Sequence, residues 1–290
     1  MLPIRPLIIG ATMTAAVAVP LALPAQAARL APMPPTLTGV RVAHHPGFDR
    51  LVFEFRGRLP HTVQTRYVNR IVDQATGRTV SVVGDALLRV RFEEASTATG
   101  PSRTTYPLPG VIQIAAATPY NSELTYGVGL ARQAPYRVYK LTRPSRVVVD
   151  ITTPYRTVPV RDYFLNTASY NTGRTPYTTA VQRPVIPPAT ACGALQRLFA
   201  GPTQAEKAQG LRFVSSRATG FSKLTVKRGV ARVYLTGRLS GAGSTFTIAD
   251  EIKPTLKQFP SIKWVKIYDA RGHTQQPYGP SDSVPRSLEP

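Results

Sequence analysis

Four histidines, one cysteine and 15 acidic side chains are the groups from which this 290-residue chain would have to build a catalytic or metal site. His44-His45 is the only histidine pair. Neighbours in an extended chain point apart, so the two could share a metal only with distant ligands joining them. Directly before Pro46-Gly47 they read as a polar turn. Cys192 stands three residues before Leu195 on an expected helix, which suggests a small buried hydrophobe rather than a nucleophile. Glu93-Glu94 and Asp250-Glu251 are the adjacent acids, and adjacency sends side chains to different sides of a strand or helix, which is poor geometry for paired acid/base work. Glu93-Glu94 reads as a solvated strand end, and Asp250-Glu251 as negative charge suited to a helix N-terminus. The patterns of a nucleophile elbow, a phosphate loop and a zinc-protease helix are absent from the sequence. Gly237 to Gly243 lacks the lysine of a phosphate cradle and reads as a flexible loop. These residues therefore assign no catalytic, cofactor-binding or metal position, and no cofactor.

The elements around them fall into two patterns. In Leu51-Val52-Phe53-Glu54-Phe55-Arg56 the apolar residues alternate onto one face, as in a half-buried strand, and Leu88 to Phe92 repeats the arrangement. Val111 to Ala115, Tyr136 to Leu141 and Val147 to Ile151 supply further short strands, punctuated by turns such as Ala75-Thr76-Gly77 and Pro109-Gly110. Many short strands without a strong amphipathic helix predict an antiparallel sandwich or barrel over residues 38–152, after a flexible, Pro-rich lead-in at 28–37.

Lysine usage then shifts: Lys140 is the only lysine before Lys207. Over 153–274 the order reads strand, strand, helix, hairpin, helix, strand, an α+β domain. The first helix spans Pro188 to Ala200, with Ala191, Leu195, Leu198 and Phe199 on one face and Gly201-Pro202 as its stop. Arg228-Gly229 closes the hairpin between Leu224–Lys227 and Val230–Leu235. The second helix starts near Ser244, and Pro254 is expected to kink it or to start a fresh turn. Residues 275–290 read as a tail.

The N-terminus predicts a secretory signal peptide over 1–27. Arg5 precedes an apolar stretch from Leu7 to Leu23, and Ala25-Gln26-Ala27 supplies the small residues of a cleavage site. Pro20 and Pro24 leave too short an apolar run to span a bilayer, and no transmembrane segment is expected after its removal. No cysteine follows for a lipid anchor. Export redirects the meaning of the formal net charge of +21, from 36 basic against 15 acidic groups. Nucleic acid is set aside as a partner, and the polyanions on offer become wall polymers and acidic lipids. Residues 36–152 carry 15 basic and 8 acidic groups, a net of +7, whereas 153–274 carry 18 and 5, a net of +13.

Tyr163-Phe164-Leu165-Asn166, Thr178 to Pro184, and Ala194-Leu195-Gln196-Arg197-Leu198-Phe199-Ala200-Gly201-Pro202-Thr203 resemble the GerMN domain of sporulation and spore-germination proteins, over about 157–271. Phe48-Asp49-Arg50-Leu51-Val52-Phe53-Glu54-Phe55 and Pro144-Ser145-Arg146-Val147-Val148-Val149-Asp150-Ile151 are similar to the first and last signatures of AMIN-like domains. The first resemblance implies a small α+β, ring-building-motif-like module for protein interaction without a catalytic centre. The second implies a β-sandwich; AMIN domains proper hold peptidoglycan, and peptidoglycan or an associated anionic wall polymer is the partner expected for this chain. The expectation is a secreted, non-enzymatic, wall-associated envelope protein with a protein partner for its second domain. Two other classes stay open at this point: an electrostatic binder of anionic wall polymers or a membrane surface, and a cell-wall hydrolase whose acids converge from distant segments.

Overall fold

A computed structural model describes residues 34–98 and 102–289; the expected signal peptide at 1–27 lies outside these residues. The first half contains strands β1 (Thr36–His45), β2 (Phe48–Arg56), β3 (Val63–Val68), β4 (Ile71–Val72), β5 (Thr79–Val80), β6 (Ala86–Phe92), β7 (Ser96–Thr97), β8 (Arg103–Thr105), β9 (Val111–Ala116), β10 (Leu124–Leu130), β11 (Tyr136–Thr142) and β12 (Ser145–Thr152), with burial alternating along β2 and β6. Two five-stranded sheets result, in the orders β11-β12-β2-β1-β7 and β3-β6-β10-β9-β8, with β4-β5 as a separate ribbon. Leu51, Phe53, Phe55, Val147, Val149 and Ile151 from one sheet meet Leu88, Val90, Phe92, Ile114 and Val128 from the other in a single core. Burial of each such side chain contributes about 1.5–3 kcal/mol. The lead-in expected through 37 is corrected here. Leu37 is fully buried and pairs with Phe55 and Thr97 in β1, because its side chain completes the sandwich core.

The second half contains β13 (Val158–Asn166), α1 (Thr167–Asn171), β14 (Thr178–Val185), α2 (Thr190–Ala200), α3 (Gln204–Ala208), β15 (Leu211–Arg212), β16 (Ala218–Lys227), β17 (Val230–Gly237), α4 (Ile248–Lys257) and β18 (Trp264–Tyr268). Its sheets run β14-β13-β15 and β16-β17-β18, with β17 and β18 parallel across the α4 crossover. Leu195 and Leu198 of α2 and Ile248, Ile252 and Leu256 of α4 share a core with Phe164, Val233 and Ile267. The cap of α4 is Thr247, three residues later than Ser244. Thr247 N–H donates to Asp250 Oδ2 (2.8 Å) in a capping box, while the Ser244 hydroxyl is used in the preceding turn, donating to Phe246 O (2.8 Å). Pro254 lies within the helix without ending it.

The residues expected as a tail instead close the second sheet. Ser283 bridges Lys266 in parallel, Leu288 enters the core, and Gly241 N–H donates to Ser287 O (2.6 Å). Lys266, fully buried, anchors this segment: its ammonium donates to Gln276 O (2.5 Å), Tyr278 O (3.2 Å) and Ser281 Oγ (3.2 Å). A lysine that looks like surface charge in the sequence thus holds the C-terminal segment down. Lys266→Met is expected to free residues 275–289 and cost on the order of 2–3 kcal/mol, since bonds to a charged group contribute more than neutral ones. Faster amide exchange at Gln275 and Ser283 checks this; unchanged protection would refute the anchor.

Candidate functional site

Strands β2, β12 and β11 turn one face inward and the other to solvent, and the outward face collects the chemistry. Arg50 stands directly opposite Asp150 and grips it with two bonds, Nε to Oδ1 at 2.7 Å and Nη2 to Oδ2 at 2.8 Å. That carboxylate raises the Arg50 guanidinium above its usual range. The same guanidinium carbon lies 5.0 Å from the Phe48 ring centroid and 5.9 Å from that of Tyr139. Tyr139 donates its hydroxyl to Asp150 Oδ2 (3.3 Å) and carries Arg137 at 5.6 Å. His45 stacks on Phe48 at 4.9 Å. The result is a platform of aromatic faces set among fixed guanidiniums, which suits a ligand with ring faces and carboxylates. One residue inward, Asp49 is fully buried. It accepts the Gly110 and Val111 N–H groups (2.7 and 2.8 Å) of the opposite sheet, and His44 Nδ1 lies 2.7 Å from its other oxygen.

A seam joins the two halves. On α2 the Leu195/Leu198 face looks to its own core, and the opposite face meets the sandwich. Gln196 donates to Asp85 (2.6 Å). Arg197, only 2% exposed, donates to the carbonyls of Tyr106 (3.2 Å), Leu108 (2.6 Å) and Pro109 (3.2 Å). The helix's last carbonyl, Ala200, accepts from Thr105 Oγ1 (2.5 Å) and Gln113 Nε2 (3.0 Å), so side chains of the other half satisfy an end that a helix leaves open. Gly201 takes φ 79° to stop the helix, a conformation that only glycine adopts cheaply. Thr203 then caps α3, in a capping box closed by Glu206. Glu206 also receives the Arg183 fork at 2.8 and 2.5 Å. Asp162 lies beneath, fully buried, with neither oxygen hydrogen-bonded. Burial holds its carboxyl well above the ordinary range, against the pull of Arg183 and Arg197.

The residues weighed for chemistry at the sequence level do not converge. His44 and His45 point to opposite sides of β1, one to Asp49 and one to Phe48. Cys192 is corrected: it is exposed, because its position on the helix falls off the Leu195/Leu198 side. It lines a 300 Å³ cavity with Asp85, Arg132 and Gln196, and partial burial with the Asp85 charge raises its thiol pKa. Glu93 pairs with Gln64 (2.9 Å) and Glu94 with Arg58 (3.8 Å) at the surface. Asp250 caps α4, whereas Glu251 is fully buried and accepts the N–H groups of Leu165 (2.9 Å) and Val214 (3.2 Å). Gly237 to Gly243 forms the loop into α4. Among the described residues no three His, Cys, Asp or Glu side chains are grouped to hold a metal, and no helix is long and apolar enough to cross a membrane.

Comparison with known families finds an AMIN-like domain family matching residues 35–153 and a Germane family, described as sporulation and spore germination, matching 162–275. The chain carries an AMIN-like domain followed by a Germane domain. No curated protein and no solved structure matches it. The pairing points to a cell-envelope, sporulation-related module, and the AMIN-like domain to an extracytoplasmic context. The AMIN-like matching region contains both sheets of the sandwich, and its two signature segments are the adjacent strands β2 and β12. Leu51, Phe53, Val147 and Val149 of those strands build the core, while Phe48, Arg50 and Asp150 make the outward platform. In the Germane domain the Gly201-Pro202-Thr203 motif is the joint between two helices, seated against the AMIN-like domain.

Proposed function

We propose that the protein is a secreted, non-enzymatic envelope-binding protein whose AMIN-like platform holds peptidoglycan, with the Germane domain acting as a protein-interaction module. The observation that carries the reading is the outward cluster of Phe48, Tyr139, Arg50 and Arg137. It spends aromatic area and guanidiniums where the core has no use for them, in an arrangement that fits sugar ring faces and stem-peptide carboxylates. Binding without turnover accords with the dispersal of the acids weighed for chemistry: Asp250 caps α4, Glu251 makes buried bonds, and Glu93 and Glu94 pair at the surface.

The test is sedimentation of the full chain with isolated sacculi stripped of secondary polymers, at low salt. The wild type is expected to pellet, and Phe48→Ala combined with Tyr139→Ala to lower the affinity about tenfold or more, corresponding to about 1.4 kcal/mol, with the fold intact by circular dichroism. Failure of the wild type to pellet, equal pelleting of the double variant, or release of soluble muropeptides would each overturn the reading.

A further inference from the structure

The Germane domain carries a second outward sheet face, unlike the AMIN-like platform. Strand alternation sends Val233, Leu235, Val265 and Ile267 into the core and leaves Lys223, Thr225 and Lys227 of β16 beside Arg232 and Tyr234 of β17 on the other side. Arg228 and Gly229 form the hairpin turn, with φ of 50° and 79°. Lys223, Lys227, Arg228 and Arg232 line a recess of about 770 Å³ whose wall is Gly279-Pro280, part of the segment anchored by Lys266. No acidic residue lines it, and among the described residues none of these four cations enters an ion pair. Lys223 Nζ lies 5.8 Å from the Tyr234 ring, itself stacked on Tyr268 at 4.6 Å.

The domain's acids are used elsewhere. Asp162 and Glu251 are buried, Glu206 holds Arg183, Asp250 caps α4, and Asp269 accepts the Arg271 and His273 N–H groups. Of the cations behind the net charge of +13 over 153–274, Arg183, Arg197 and Lys266 are buried and Lys257 pairs with Asp282, whereas the four at the recess have no acidic partner among the described residues.

We propose that this recess binds a linear phosphodiester polymer of the envelope, of the poly(glycerol phosphate) type. Spacing supports a chain over a flat bilayer or an isolated ion. At about 3.4 Å per residue, Lys223 and Lys227 stand about 14 Å apart along β16, and Arg232, opposite Thr225, falls midway on the next strand. The cations thus recur at about 7 Å along the recess. A glycerol-phosphate repeat has six backbone bonds, as many as two residues of a strand, and advances by the same ~7 Å when extended. The concave wall at Gly279-Pro280 suits a threaded chain and would hold a flat headgroup layer away.

Trp264 is the only tryptophan in the chain, sits opposite Val230 of the recess and is 36% exposed, so its emission reports on occupancy. Titrating the full chain with short oligo(glycerol phosphate) is expected to change Trp264 emission, with an affinity that falls as salt rises. The combined variant Lys223→Gln, Lys227→Gln, Arg232→Gln is expected to bind at least tenfold more weakly. Its log–log salt slope should be smaller by about 0.7 per charge removed. Arg103→Gln, outside the recess, is expected to leave both unchanged, and far-ultraviolet circular dichroism of each variant checks the fold. Equal binding by the triple variant overturns the site. Tenfold tighter binding of single-stranded DNA, which shares the bond count, or of phosphatidylglycerol vesicles overturns the polymer as its occupant. The inference stands apart from the AMIN-like platform: these variants are expected to pellet with stripped sacculi as the wild type does, and the Phe48/Tyr139 variant to bind the oligomer normally.

Discussion

Arg197→Ala is expected to cost about 3–5 kcal/mol and to divide a single unfolding transition into two, one for each domain. Removing a buried charged donor leaves its acceptors desolvated and unpaired at about 1–3 kcal/mol each, so the loss of several at once accounts for a penalty of that size. Here the orphans are the carbonyls of Tyr106, Leu108 and Pro109, which meet a single guanidinium. Burial lowers the pKa of Arg197 to about 10, so it remains cationic at neutral pH. Arg197→Lys keeps the charge but loses the planar fork that spans three carbonyls, and its midpoint is expected between those of the wild type and the alanine variant. Calorimetry distinguishes the outcomes. A single, unshifted transition for Arg197→Ala would show that the seam does not couple the domains.

Glu251→Gln is expected to reverse its effect with pH. Burial pushes the Glu251 carboxyl up to about 9, from an ordinary value of 4.5, against two backbone N–H bonds that favour its charged form. The folded chain therefore keeps a proton that the unfolded chain releases above about pH 4.5. Stability associated with this group is full below that value and declines as pH rises to about 9, by about 1.4 kcal/mol per unit within the window. Glutamine does not titrate, but it turns an amide NH2 toward the Val214 N–H, a donor facing a donor at a cost of about 1–3 kcal/mol. The variant is thus expected to be less stable than the wild type at pH 5 and more stable at pH 8, as read from urea midpoints. Parallel pH profiles for the two proteins would mean that Glu251 is ionised in the folded chain.

Periodicity made much of this architecture readable. Leu51, Phe53 and Phe55 alternate because one side of β2 is buried, and Ala191, Leu195 and Leu198 recur at helical spacing because α2 has one core to cover. Strand β10 escaped the same reading: all seven of its residues are buried, so it shows no alternation, and it contains two glycines. A Cβ on Gly129 would lie 2.0 Å from the Val83 carbonyl oxygen, which explains a glycine inside a strand. The charged residues that matter most were the least readable. Arg197 sits on the polar side of its helix, where solvent is the ordinary expectation, and nothing local indicates that a second domain occupies that side. Glu251 looks like a favourable charge at a helix start until β13 and the 214 backbone close over it. The platform was half visible. Phe48 and Arg50 belong to a recognisable segment, but Tyr139 reaches them only through the pairing of β11 with β12 and of β12 with β2.

That pairing also governs how the chain must fold. Arg50 and Asp150 are 100 positions apart, so the middle of the first sheet stays open until nearly the whole AMIN-like domain has been synthesised. Contacts this distant in sequence place a domain among the slow folders, on the millisecond-to-second scale. Until β12 arrives, the β1–β2 hairpin presents an unpaired edge beside Leu51, Phe53 and Phe55, the kind of surface on which partly made sheets aggregate. The strand that completes the platform is also the one that ends this exposure.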